Sequence, residues 1–198
     1  LGICIEELAA ADVSCALIAW QQATHTRFLP GWRDDTVRAV LAGEQLVALA
    51  TSEENAGSDV SAIATQAVPD GGDYVINGRK VHVSIMPGAD VLAVSAKLPA
   101  EDGARPQIVL FRVPTTAPGV TSTLMEQMGA RAHRLGVVDF NDVRVPAAAM
   151  MGDPGQGKAI MFARYNVSRC LSPLAALGAA RAVVDETIRF AKSRIVFG

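Results

Sequence analysis

Ser52-Glu53-Glu54-Asn55-Ala56-Gly57-Ser58-Asp59 is the stretch on which the reading of this chain turns. It follows a short apolar run at 46–50 that suits a buried strand. A strand end that enters a Gly-containing turn offers backbone amides, and Gly57 lets another group approach closely. Thr51, Ser52 and Ser58 add hydroxyls to that offer. Ser, Asn, Gly and Asp also favour ordinary capping turns, so the loop alone leaves both readings open.

Upstream, residues 1–46 read as helical. Ile5, Leu8, Ala9 and Asp12, then Ala16, Leu17 and Trp20, suggest two short helices that meet near 12–14. A third starts at Asp34 or Asp35, whose carboxylates suit an N-cap. Val37, Val40 and Leu41 give it an apolar stripe, and Gly43 a stop.

Downstream the period changes. Asp73-Tyr74-Val75-Ile76-Asn77-Gly78-Arg79-Lys80-Val81-His82-Val83-Ser84 reads as a hairpin, with Asn77-Gly78 supplying the positive φ angles of its turn. Further strands are expected at 91–96, 107–113, 120–124 and 135–140. Pro69-Asp70-Gly71-Gly72, residues 99–106 and Ala117-Pro118-Gly119 separate them. Strands without intervening helices imply an antiparallel sandwich or barrel. After Pro154-Gly155-Gln156-Gly157 the helical period returns, with Leu174, Leu177, Val184, Ile188, Ala191 and Ile195 in one apolar stripe. Pro173 is expected to kink this helix or divide it near Cys170. The fold class is α+β: a helical segment over 1–45, a central antiparallel β-sandwich or barrel domain over 46–153, and a long C-terminal helix over 154–198.

The 198 residues suit one domain or pieces of two, and with half of them hydrophobic they can build a core. A formal net charge of −2 creates no strong field for nucleic acid or an anionic membrane. No run of about 18 apolar residues predicts a transmembrane helix, and no signal peptide is visible. Cys4, Cys15 and Cys170 are odd in number and lack metal-ligand spacing. They read as reduced core thiols of a cytoplasmic protein. Both ends read as cut, since Leu1 already lies in a helical pattern and Phe197-Gly198 interrupts an amphipathic one. No Ser-His-Asp set, phosphate-cradling glycine motif or metal cluster can be read.

Seven motifs in order carry a resemblance to the flavin-dependent acyl-CoA dehydrogenase family. Ile5-Glu6-Glu7-Leu8-Ala9 resembles the family's helix before the active-site cleft, and Ser52–Asp59 its flavin loop. Tyr74-Val75-Ile76-Asn77-Gly78-Arg79-Lys80, Met128-Gly129-Ala130-Arg131 and Phe140-Asn141-Asp142-Val143-Arg144-Val145-Pro146 resemble its β-domain signatures. Gly155-Gln156-Gly157 and Arg194-Ile195-Val196-Phe197-Gly198 resemble the opening and close of its long helix. Three departures stand out: Glu54 replaces the usual Pro, His82 the usual Trp, and Met86-Pro87 the usual glycines.

The resemblance implies FAD as cofactor and α,β-dehydrogenation of an acyl-CoA or acyl-carrier thioester. In the family a carboxylate takes the α-proton while the β-hydrogen leaves as hydride. That base lies beyond Gly198, so no catalytic residue is expected in this chain and the chain alone is expected to be inactive. By resemblance Thr51 and Ser52 meet the flavin pyrimidine edge and Ser58 the diphosphate. His82 and Ser84, two apart on one strand and so on one face, lie against the ring. The bland alternative for His82 is an inert sheet-edge residue. Asn166 and Arg169 border the thioester, with Arg169 as a supporting residue that a solvated helix face would equally explain. Arg194 and Phe197 reach the cofactor of a neighbouring subunit, which implies a homodimer or homotetramer; an ordinary helix-end cation is the alternative for Arg194. An electron-transfer flavoprotein is the implied electron acceptor. Glu53 is expected to be structural, and Glu6-Glu7 solvated. Two other readings remain: a flavin monooxygenase on the same fold, and a catalytically inactive truncated subunit.

Overall fold

Asp12 ends one helix and begins the next. Its extended backbone (φ −153°, ψ 116°) follows α1 (Gly2–Ala11), and its carboxylate accepts from the Cys15 amide at 2.8 Å to cap α2 (Val13–His25). The structure, a computed structural model, describes residues 1–26, 35–100 and 105–197. Asp34, one of the two expected caps, therefore lies outside the described residues, as do 101–104 of the expected separator and Gly198 of the last motif. Helix α3 is described as Asp35–Ala42, and Gly43 ends it at φ +77°.

Eight strands follow among the described residues: β1 (Val47–Ala50), β2 (Gln66–Asp70), β3 (Asp73–Ser84), β4 (Val91–Lys97), β5 (Ile108–Pro114), β6 (Val120–Met125), β7 (Leu135–Pro146) and β8 (Met150–Met151). Helix α4 (Gly157–Ser193) comes last. The sheet order is β6-β7-β3-β2-β4-β5-β8, with β1 added beside β4. Most pairs are antiparallel, but β1 runs parallel to β4 and β2 meets β4 in parallel at Gln66 and Lys97. The sheet is thus mixed rather than purely antiparallel. It is also open, because β6 and β8 end the hydrogen-bonded path without joining.

Period-two alternation explains where the cores lie. Leu92, Val94, Val109, Phe111, Val138 and Phe140 face an inner cluster around which the strands curl. The alternate residues Val91, Ala93, Ile108 and Leu110 face the other way, under Val37 and Val40 of α3 and Met161 of α4. Strand β4 is buried on both faces, which is why 91–96 is apolar but for Ser95, whose hydroxyl accepts from Lys80.

The expected hairpin at Asn77-Gly78 is not formed. Strand β3 runs straight through it, and the turn sits earlier, at Gly71 and Gly72, where β2 folds back on β3. Asn77-Gly78 instead makes a bulge, seen as a register shift against β7 between Ile76 and Gly78. Two contacts favour the bulge. The Asn77 side chain exchanges two hydrogen bonds of 2.9 Å with Asp142, and a Cβ on Gly78 would lie 2.8 Å from Thr65 Cα.

Helix α4 is not divided at Pro173 but continues through it. The lost backbone bond and ring clash typically cost about 3 kcal/mol. Close packing against α1 compensates: a Cβ on Gly178 would lie 2.1 Å from the Glu6 carbonyl oxygen. Glu6 and Glu7, expected to be solvated, both hold Arg181 of α4, at 3.0 and 2.7 Å. The three cysteines are free and exposed, not core thiols. Among the described residues α4 is the one helix long and apolar enough, by length and composition, to cross a membrane, and 11% of its most apolar window is buried. Arg164, Arg169 and Arg181 interrupt its apolar run.

Candidate functional site at the flavin-type loop and the bulged strand

Glu53 holds the loop. Its carboxylate accepts from the Ala64 amide at 2.5 Å, the Thr65 amide at 3.1 Å and the Thr65 hydroxyl at 2.6 Å. A fourth donor is Lys80 Nζ at 2.7 Å, which also reaches Ser95 Oγ at 3.0 Å and the Thr51 carbonyl at 3.5 Å. Lys80 is fully buried, and burial pushes its ammonium down to about 8 against the hydrogen bond and charge of Glu53. Burial works to raise Glu53, but the bonds from Lys80, Thr65 and Ala64 outweigh it and hold the carboxyl below its usual value. Sequence reading missed Lys80 as a site-shaping residue. Its signal was a lysine four residues after the buried Ile76, on the inward face by period two, where a charge needs a buried acid to answer it.

Beyond Glu53 the loop is committed at Ala56 and Asp59 but not between them at Gly57 and Ser58. Glu53 and Ala56 exchange backbone bonds of 2.9 and 3.1 Å that close a tight turn. Gly57 then sits in open space, and among the described residues neither its amide nor that of Ser58 donates to a protein acceptor. Ser58 is exposed and Ser52 half-buried. Thr51 is buried, and its hydroxyl meets Tyr165 Oη of α4 at 3.2 Å. Its side chain therefore faces α4, leaving the ligand side of this position to the backbone.

At the end of β3 the chain bulges again. The register against β7 shifts between Lys80 and Val83, and His82 adopts φ +55°. This interrupts the alternation that would have put His82 and Ser84 on one face: His82 is exposed, and Ser84 turns to Gln21 of α2, whose Nε2 donates to its Oγ at 2.9 Å. Ile85 follows at φ +65°, with Ala130 at +43° and Arg134 at +51° on the facing β6–β7 connection. A β-branched residue in this region is a true outlier, and such strain gathers at functional sites. Ile85 is held there by its amide, which donates to the His133 and Arg134 carbonyls at 3.2 and 2.8 Å. Met86, where the resemblance expects glycine, packs into the inner core against Gly136.

A groove of about 520 Å³ opens beside this strained segment, lined by the run 124–128, which includes Glu126 and Gln127, and by Arg131 and Arg134. Leu135 pairs with Ser84 on one side and Met125 on the other, so the groove lies two strands from Ser84.

Buried polar side chains not singled out in the sequence lie under the site. His133 is buried, and desolvation pushes its imidazole below the usual range. His25 Nδ1 donates to the Val47 carbonyl at 2.8 Å, and burial with the Arg164 charge pushes the imidazole down to about 3. Burial lowers Arg164 to about 10, and its guanidinium donates to Thr24 Oγ1 at 3.3 Å. Each sits in an apolar or unremarkable sequence setting that gives no warning of burial. Among the described residues no group of three metal-ligating side chains exists.

The four α4 positions divide into two groups. Asn166 and Arg169 are exposed and lie within one turn of Tyr165, close along the helix to the Thr51 contact. Arg194 caps the far end of α4 with its guanidinium 5.5 Å from the Phe190 ring centre, and Phe197 is fully exposed at φ +64°. At about 1.5 Å per helical residue, Arg194 is about 44 Å from Tyr165. One chain does not bring Arg194 and Phe197 to the loop.

These residues fit a flavin nucleotide. Two uncommitted amides and the Ser58 hydroxyl suit a diphosphate. The groove volume is in the range of small-molecule sites. Gln127 Oε1 in its wall is buried without a partner. The chain thus combines an open curled sheet, with hydroxyls and free amides at one edge, and two short helices packed on one long helix, the make-up of an α+β protein with a candidate nucleotide site on its sheet. Residues 48–143 match the acyl-CoA dehydrogenase middle domain. The chain is 35% identical over 165 residues to mitochondrial isovaleryl-CoA dehydrogenase of Pongo abelii, covering 80% of this chain and 38% of that protein. It superimposes on butyryl-CoA dehydrogenase from Megasphaera elsdenii with a TM-score of 0.89 at 26% identity, covering 98% of this chain and 52% of the other. A glutaryl-CoA dehydrogenase from Mycobacterium smegmatis in complex with FADH2 gives 0.87 at 28% identity, covering 99% and 51%. The chain belongs to the acyl-CoA dehydrogenase family. It spans about half the length, or less, of these relatives.

Proposed function

We propose that this chain is the cofactor-binding part of an FAD-dependent acyl-CoA dehydrogenase. The observation that carries the reading is the pinned loop with uncommitted donors: Glu53 and Lys80 fix its base while the Gly57 and Ser58 amides point at no protein acceptor. FAD, when bound, supplies the hydride acceptor for α,β-dehydrogenation of an acyl thioester carried by coenzyme A or an acyl carrier. Ser52 and the backbone at Thr51 meet the pyrimidine edge, Ser58 the diphosphate and Ser84 the ring, with His82, turned out by the bulge, at the ring's solvent border. Asn166 and Arg169 border the thioester. Arg194 and Phe197 serve the cofactor of a second copy, in a homodimer or homotetramer. An electron-transfer flavoprotein takes the electrons onward.

In this reading the α-proton base comes from outside these 198 residues, while Glu53 in the loop is committed to Lys80 and Thr65. The chain alone then binds flavin without turning over substrate. Titration with FAD under flavin fluorescence tests the first half, and absence of quenching refutes it. Incubation of the loaded chain with acyl-CoA and an electron acceptor tests the second, and robust turnover refutes it.

A further inference from the structure

We propose that Gln21 is a positioning residue, linking His133 to Ser84 so that the Ser84 hydroxyl keeps its proton pointed at the ligand. The proposal rests on the flavin reading above.

Three elements meet here: α2, the end of β3, and the β6–β7 connection. Gln21 Nε2 donates to Ser84 Oγ at 2.9 Å, and Gln21 Oε1 meets His133 Nε2 at 2.9 Å. Gln21 and His133 are each 7% exposed, so water does not compete for these bonds. The Ile85 amide, bonded to the His133 and Arg134 carbonyls, ties the end of β3 to the backbone of His133 and keeps the outer partners in register.

A hydroxyl has one proton and two acceptor sites. Donation from Gln21 fills one acceptor site and leaves the Ser84 proton uncommitted among the described residues. Gln21 keeps this orientation only while His133 presents Nε2–H to its oxygen. Desolvation favours the neutral ring, which has a single N–H, so the Nε2–H tautomer sets the direction of the whole relay. The other tautomer reverses it: Gln21 turns its amide, Ser84 donates inward, and the ledge offers a lone pair instead of a proton. A flavin ring nitrogen accepts a hydrogen bond when oxidised and donates one when reduced. The relay can answer both states without moving a backbone atom.

The test uses the full chain labelled with ¹⁵N-histidine, and the Gln21→Leu, Ser84→Ala and doubly substituted chains. Imidazole nitrogen shifts of the ligand-free wild type are expected to show His133 as the neutral Nε2–H tautomer, and Gln21→Leu to shift it toward Nδ1–H. FAD affinity is expected to fall about fivefold in Gln21→Leu and in Ser84→Ala, with no further loss in the double variant. Equal FAD affinity in wild type and Gln21→Leu overturns the relay and leaves the flavin reading standing. An Nε2–H signature in a chain that binds no FAD overturns the flavin reading, and this role for Gln21 with it. Should Gln21→Leu not fold, an Nδ1–H tautomer in the ligand-free wild type overturns the proposal by itself.

Discussion

Lys80 Nζ and Glu53 Oε1 meet at 2.7 Å in the floor of the loop, with the lysine side chain fully buried and the glutamate 9% exposed. A paired buried charge that loses its partner becomes costly, typically 3–5 kcal/mol. Glu53→Gln also weakens the bonds from the Ala64 and Thr65 amides. We expect it to lower the unfolding free energy by about 3 kcal/mol, read from urea denaturation. Lys80→Met with Glu53→Gln is expected to cost less than the two single changes added together. A Glu53→Gln chain within about 0.5 kcal/mol of wild type would contradict this view of the pair.

Gly178 makes the opposite of the usual helix prediction. Gly to Ala inside a helix ordinarily stabilises by about 1 kcal/mol. Here the added Cβ meets a backbone oxygen of Glu6 at 2.1 Å and Ala9 Cβ at 3.0 Å, and α1 must move away. Gly178→Ala is expected to destabilise by about 1–3 kcal/mol and to separate Arg181 from Glu6 and Glu7. Thermal melts decide the sign.

The parts of the fold legible in the sequence were those governed by local rules. A helix junction near 12–14, Gly43 as a stop and a strand at 91–96 each follow from local residue chemistry, and each is present. The failures have non-local causes. Asn77-Gly78 has the chemistry of a turn, but Asp142, far along the chain, binds Asn77 and makes a bulge more favourable. Pro173 has the chemistry of a helix breaker, but the close fit of α1 at Gly178 holds α4 together around it. At the site, the loop hydroxyls and Glu53 stood out because their spacing is local. Gln21 and His133 did not, since one lies on α2 and the other on the β6–β7 connection, and only the folded chain joins them.

His25 gives the chain a predictable acid limb. Its folded value, pushed down to about 3, lies below the ordinary 6.5, so it stays neutral in the fold after it has charged in the unfolded chain. The unfolded state then binds more protons, and stability must fall as pH drops from 6.5 toward 3. Between pH 7 and pH 5 the expected loss from this residue is about 2 kcal/mol. His133, shifted the same way, adds to the same limb, whereas Glu53 contributes only below its ordinary 4.5. His25→Gln is expected to flatten the urea midpoint between pH 7 and pH 5, keeping only the share of His133. An unchanged slope would mean that His25 is not held neutral by the fold.

Arg194 provides the sharpest test of assembly. It is about 44 Å along α4 from the residue that touches Thr51, too far to serve a nucleotide held by its own loop. If it grips a cofactor diphosphate, the loop must come from a second copy, where a planar guanidinium binds two oxygens at once. Arg194→Glu is expected to reduce FAD retention at least tenfold, as is Ser58→Glu, each by putting a carboxylate where a diphosphate belongs. Co-expressed in one cell, the two variants form mixed pairs in which one of the two sites has an intact loop and an intact Arg194. Flavin content should then return to about a quarter of wild type, given random pairing and one restored site in each mixed dimer. Absorbance of the purified mixture reads this directly. Retention that stays at the single-variant level would place both residues at one site within one chain, which the length of α4 forbids, or would remove Arg194 from the cofactor altogether.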